Sequence, residues 1–193
     1  MKSRKLKVIL NYPGTVGDQL LKKKNKFIVY LFFYILQKSD YFMKYTLEIL
    51  VEIPLHEFIK KFDNHTNMKY WQRGLESFEH LHGNPGQVGA QMILNYKFGN
   101  RKIALTETIT KSKFPNVFHV NYDTKGLHNI QRNYFKTTPE NHTQWISENE
   151  FIPISFAMRM MTLIMPSAFK KQSMTYLTDF KNFAEKGITV KHA

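Results

Sequence analysis

The chain has 193 residues, 42% of them hydrophobic and 15% aromatic, which is ample for a packed core and too apolar for global disorder. It contains no cysteine, which excludes a disulfide scaffold, a thiolate metal site and a cysteine nucleophile. The net charge of +13 invites a nucleic-acid partner, but +7 of it lies in residues 1–42 and only +6 is spread over the rest, so no specific nucleic-acid binding is expected.

Residues 1–42 do not match the remainder of the chain. The stretch "KKKNKFIVYLFFYIL" sets a basic cluster before ten unbroken apolar residues, 27–36. Ten is short of the roughly 20 needed to span a bilayer. The basic region is too long for a secretion signal, and no small-residue cleavage site comes after it. The segment reads as an unmatched extension, disordered or not native, upstream of a start at Met43. The rival is a basic-aromatic anchor through residues 22–36, which would put the protein at the inner membrane rather than free in the cytoplasm.

From Met43 the pattern is regular. In "KYTLEILVEI" (44–53), Tyr45, Leu47, Ile49, Val51 and Ile53 share one face and Thr46, Glu48 and Glu52 the other, which predicts a half-buried strand. Pro54 ends it and suits a helix start; Leu55, Phe58, Ile59 and Phe62 then recur at helical spacing. A second short helix is predicted at 68–71. Six strands come next, at 75–82, 90–98, 101–111, 117–122, 127–135 and 143–151, punctuated by "GNPGQVG" (83–89), "GN" (99–100) and "TTPENH" (137–142). The last segment is helical. Met158, Thr162, Met165, Phe169, Ser173, Tyr176, Phe180 and Phe183 form one stripe, with Lys171, Asp179, Asn182 and Lys186 away from it. Pro166 predicts a break and Gly187 a stop. Consecutive strands with tight turns make an antiparallel sheet, and the long amphipathic helix must bury its stripe on it. The expected class is therefore α+β: about seven strongly curved strands around a C-terminal helix, spanning 43–187, with 188–193 a tail.

The order of elements resembles the START and pollen-allergen-like superfamily (SRPBCC), in particular its bacterial polyketide cyclase/dehydrase-like members. The residues that carry the likeness are "YTLEILVEIPLHEFIKKFDN", Trp71, Gly74, "GNPGQVGAQMILNYKFGNRKIALTETIT", "TQWISENEFIP" and "AFKKQSMTYLTDFKNFAE". The resemblance covers residues 43–186. It implies a helix-grip fold with a cavity between sheet and long helix, binding a lipid- or polyketide-like molecule, or in a minority of members catalysing cyclisation or hydration. The superfamily has no universal catalytic motif, so no catalytic residue is carried over.

The candidate lining comes from strand and helix parity. Met92, Leu94, Tyr96, Leu105, Phe118, Val120, Tyr122, Trp145, Met158, Met161, Met165 and Phe169 are the apolar and aromatic candidates. Methionine is unbranched and polarisable and re-packs around varied guests, so Met158, Met161 and Met165 are expected to face the sheet as an adaptable wall; ordinary core is the alternative. Glu107, Asn133, Ser147 and Asn149 are the polar candidates, with the hydroxyls of Tyr96 and Tyr122 beside them. Glu107 shares a face with Ile103, Leu105 and Ile109, where a carboxylate is costly unless paired or protonated. It could orient a ligand or act as a general acid or base, or it could be a structural partner of Arg132 or a lysine, or sit at the sheet's wet end. Whether Gln131 and Asn133 or Arg132 face inward is open. His80 and His82 share a strand face but lack a third ligand, so no metal is expected. No Walker loop or nucleophile elbow is present, and no cofactor is expected.

Overall fold

The computed structural model describes residues 26–30 and 42–190. Contacts divide the chain into two units, Met1–Asp40 and Tyr41–Ala193. In the first, residues 26–30 are helical and exposed; the other expectations for 1–42 fall outside the described residues, apart from Phe42, which is exposed and precedes the first strand. No helix among the described residues is long and apolar enough to cross a membrane.

The second unit opens with β1 (Met43–Val51), whose burial alternates as its sequence does. Helix α1 (Leu55–Phe62) starts after Pro54, with Glu57 in its first turn and Lys60 and Lys61 in its last, both favourable to the helix dipole. A short 3-10 turn (His65–Asn67), capped by Asn64 through the Thr66 N–H at 3.0 Å, leads into α2 (Met68–Trp71). Six strands then run β2 (Leu75–His82), β3 (Gln91–Phe98), β4 (Arg101–Lys113), β5 (Val117–Thr124), β6 (Leu127–Thr137) and β7 (Thr143–Pro153). All pairs are antiparallel, in the order β1-β7-β6-β5-β4-β3-β2. The first strand of the unit thus pairs with the last.

Two helices close the unit. Helix α3 (Phe156–Ile164) begins at Ser155, whose hydroxyl accepts from the Met158 N–H at 3.3 Å. Gly126 approaches this cap so closely that a Cβ there would lie 2.4 Å from Ser155 Oγ, and its φ of +86° independently favours glycine. The predicted break falls at Met165, and α4 (Pro166–Lys186) starts on Pro166 at its first turn. Gly187 ends it in the left-handed conformation.

The concave side of the sheet holds the core. Phe58 of α1 is fully buried, its ring 4.8 Å from that of Phe180, 5.0 Å from Phe135 and 5.7 Å from Trp145. Phe62 and Trp71 complete this aromatic cluster. One expectation for the long helix is corrected. Asp179 does not face solvent but is 5% exposed, because Arg73, between α2 and β2, reaches it with Nε and with Nη2, the latter at 2.9 Å from Oδ1. The clasp stands in for water around a carboxylate that periodicity alone places on the surface.

Candidate functional site

The register fixes which strand residues face the helix. On β6 the inward set is Asn129, Gln131, Asn133 and Phe135, which closes the question of parity. Arg132 points to the convex face, 3.7 Å from Glu150, and so is not the partner of Glu107.

Inward amides and hydroxyls of β6 and β7 bond to one another. Trp145 Nε1 donates to Asn133 Oδ1 at 2.9 Å. Gln131 Nε2 lies 3.0 Å from Ser147 Oγ and 3.3 Å from Asn133 Oδ1, and Asn149 Nδ2 reaches Ser147 Oγ at 3.1 Å. Next to this ladder the Tyr45 and Ser173 hydroxyls join β1 to α4 at 2.8 Å. Burial pushes the Tyr45 phenol up to about 12.

Farther across the sheet, Glu107 of β4 stands opposite Tyr122 of β5 on one side and Met92 of β3 on the other. Glu107 is 6% exposed and hydrogen-bonded to the Tyr122 phenol. Burial raises its carboxyl to about 7, with the Tyr122 bond opposing the shift. Tyr96, whose hydroxyl donates to Gln72 Oε1, and Tyr122 are held well above the usual phenol range by burial first, with nearby Glu107 adding to it. Tyr176 of α4 is raised by burial, and it lies close enough to influence both. One carboxyl and three phenols therefore converge between β3, β4, β5 and α4, and among the described residues no ion pair reaches Glu107.

Several inward side chains around this group are half-buried rather than buried: Ile103, Leu105, Phe118, Tyr122 and Tyr176. Tyr122 is itself half-buried, and burial is the main cause that holds its phenol well above the usual range. By contrast Leu94, Val120, Trp145, Ser147 and Asn133 are closed off by packing. Separately, an open groove of about 550 Å³ runs along α4, with Leu47 and Met174 among its lining and Arg73, Lys170, Lys171 and Asp179 around it. Its lining includes none of the residues expected from the sequence.

The methionine wall is corrected. Met158 is half-buried on α3, and Phe169 is half-buried against Phe151, with ring centroids 5.3 Å apart. Met161 and Met165 do not face the sheet; they are 41% and 53% exposed. The buried position of α3 is Thr162, and the break at Met165 turns that residue out of register with the α4 stripe. Sequence reasoning missed Gln72, which lies at the end of a one-turn helix where no periodicity marks it. It took Tyr45 and Tyr176 for core, because both sit on apolar stripes. His80 and His82 lie exposed on β2, and among the described residues no group of three or more metal-binding side chains is gathered.

No family model matches the chain, and no curated protein matches it. Solved structures do. An aromatase/cyclase from Streptomyces sp. R1128 superposes with a TM-score of 0.62 at 13% identity, over 76% of this chain and 95% of that one. The protein titled Ara h 8.0201 gives 0.60 at 10% identity, over 75% and 98%. The major latex-like protein 151 of Panax ginseng gives 0.59 at 10%, over 74% and 97%. At such identities the likeness is one of fold: the chain has the helix-grip fold of START and pollen-allergen type.

Proposed function

We propose that residues 43–187 bind one hydrophobic or amphipathic small molecule, lipid- or polyketide-like, in the interior between the sheet and α4. The observation that carries this reading is the group around Glu107. An interior carboxyl beside three phenols, with neighbouring apolar side chains that are only half-buried, suits a pocket with few polar anchors better than a filled core. Native mass spectrometry of the freshly purified chain, followed by titration with the neutral probe Nile red, tests it. A co-purified mass adduct, or one displaceable probe per chain, is the expected result. Absence of both overturns the reading.

A second reading is an enzyme of the cyclase or hydratase type on the same fold. Its support is a carboxyl titrating near pH 7 within hydrogen-bond reach of a phenol, a pair able to exchange a proton with a substrate oxygen. Turnover of a polyketide-like substrate that is lost in Glu107→Gln while binding persists is its test. The anchored alternative rests on residues mostly outside those described, and partition of the full chain with anionic vesicles decides it.

A further inference from the structure

We infer that the interior site selects apolar ligands carrying a neutral hydrogen-bond acceptor, such as a ketone or ester carbonyl, and rejects carboxylates. The inference rests on the ligand-binding reading above and adds to it the chemistry of the ligand's polar end.

Glu107 meets phenols and apolar side chains on every side. Across β5 stands the Tyr122 phenol and across β3 stands Met92. Along β4 the inward neighbours are Leu105 and Ile109. Tyr96 from β3 and Tyr176 from α4 complete the titratable surroundings. The cations of the adjoining strands and helix are engaged or directed elsewhere. Lys97 pairs with Glu76, Arg132 with Glu150, Arg73 with Asp179 and Lys181 with Glu185, while Lys102, Lys111, Lys170, Lys171 and Lys186 are exposed. A fatty-acid head entering here meets a carboxyl and three phenols, and the Arg73 guanidinium near Tyr176 is already held by Asp179. That arrangement offers it no charge compensation, and desolvation of an unpaired carboxylate is costly.

A carbonyl oxygen meets the opposite situation. With Glu107 protonated, the pair Glu107–Tyr122 holds two O–H groups and can spare one for an acceptor. Once Glu107 ionises, its carboxylate takes the Tyr122 proton donation for itself and that spare donor is lost. Acceptor binding is therefore expected to weaken as pH rises through about 7. If only the protonated form binds, the apparent affinity falls about tenfold between pH 6 and pH 8.

The test uses the full chain and displacement of Nile red by two probes of matched length, 2-tridecanone and dodecanoate, at pH 6 and pH 8. The ketone is expected to displace the dye at a concentration at least about tenfold lower than dodecanoate at pH 6, and to lose about tenfold by pH 8. Glu107→Gln keeps a neutral donor at both pH values and is expected to bind the ketone with no pH dependence. Tyr122→Phe leaves the Glu107 O–H as the donor and removes the bond that lowers its pKa, so ketone binding is expected to persist at pH 6 and its loss to move to higher pH; this variant carries the test alongside the wild-type pH profile if Glu107→Gln does not fold. Dodecanoate binding as tightly as the ketone, or ketone binding that is flat with pH in the wild type, overturns the inference and leaves the binding reading standing. Failure of Nile red and of both probes to bind overturns the binding reading itself and the inference with it.

Discussion

The two ends of the grip are built from different chemistry. Under α1 and α2 the interior is filled by Phe58, Phe62, Trp71, Phe135, Trp145 and Phe180, in edge-to-face, tilted and stacked pairs with ring centroids 4.8–6.1 Å apart. Toward the middle and early part of α4 it is lined by Tyr45, Asn149, Gln131, Tyr122, Glu107 and Tyr176: Tyr45 bonds to Ser173, Gln131 and Asn149 both reach Ser147, and Glu107 bonds to Tyr122. The aromatic end has what a stable fold needs, dense contact among large apolar side chains. The tyrosine end gives up part of that contact and keeps polar groups away from water. That division assigns stability mainly to one end and recognition mainly to the other.

The sharpest way to break the comparison is to truncate the aromatic end. Phe58→Ala should lose about 3–5 kcal/mol of unfolding free energy, from lost contacts plus an unfilled void. Chemical denaturation measures it, and a loss below about 1 kcal/mol would mean that this end is not the packed one.

The tyrosine end should instead announce itself through pH. Glu107 has a folded pKa of about 7 against an ordinary 4.5, so the folded state holds its proton longer than the unfolded chain. Its contribution is fully present below the ordinary value and is lost as pH rises through 7. The loss totals roughly 3 kcal/mol, since a tenfold change in proton affinity is worth about 1.4 kcal/mol. Glu107→Gln should flatten that part of the stability–pH curve between pH 4.5 and 8 and be the more stable form at pH 8. Equal pH dependence in both proteins would remove Glu107 from the account.

Between the ends lies the Arg73–Asp179 clasp. Arg73 is 55% exposed and Asp179 only 5%, so removing the arginine strands a buried carboxylate while removing little packing. Arg73→Ala should cost roughly 1–3 kcal/mol, and Arg73→Ala with Asp179→Asn should recover part of it. The smallest effect is expected at Met161→Ala and Met165→Ala, each under about 1 kcal/mol, because both side chains are already largely in solvent. Thermal melts of the two variants check this; a larger loss would show that their exposed surface is covered.

Much of the architecture was legible in the sequence. Strand β1, the hairpin at Gly99 and Asn100, the break before Pro166 and the stop at Gly187 each have a local cause: alternation, turn chemistry, ring constraint or left-handed backbone. The features that were not legible depend on pairs distant in sequence. Parity of β6 could not be read because polar and apolar residues both fall on each face, and only its pairing with β7 decides it. Asp179 reads as exposed until Arg73 is seen beside it. The methionines read as a wall because a stripe carried across a helix break assumes a common axis that α3 and α4 do not share in register. For the site, the position of Glu107 on an apolar strand face was visible, whereas its partner Tyr122 required the β4–β5 register.

The pairing of β1 with β7 also bears on how the chain reaches this structure. Met43 meets Phe151 and Val51 meets Thr143, contacts that span about 100 residues, so the sheet cannot complete its edge until nearly the whole chain is available. Hairpins from β2 to β7 can form in sequence order, but the hollow they enclose stays unroofed until α4, the last element, docks on β1. Loop closure on that scale is slow, in roughly the millisecond-to-second range for sheets of high contact order. On a ribosome, the concave aromatic surface therefore stands uncovered until the final helix emerges, and an apolar guest present at that moment meets an open sheet rather than a closed grip.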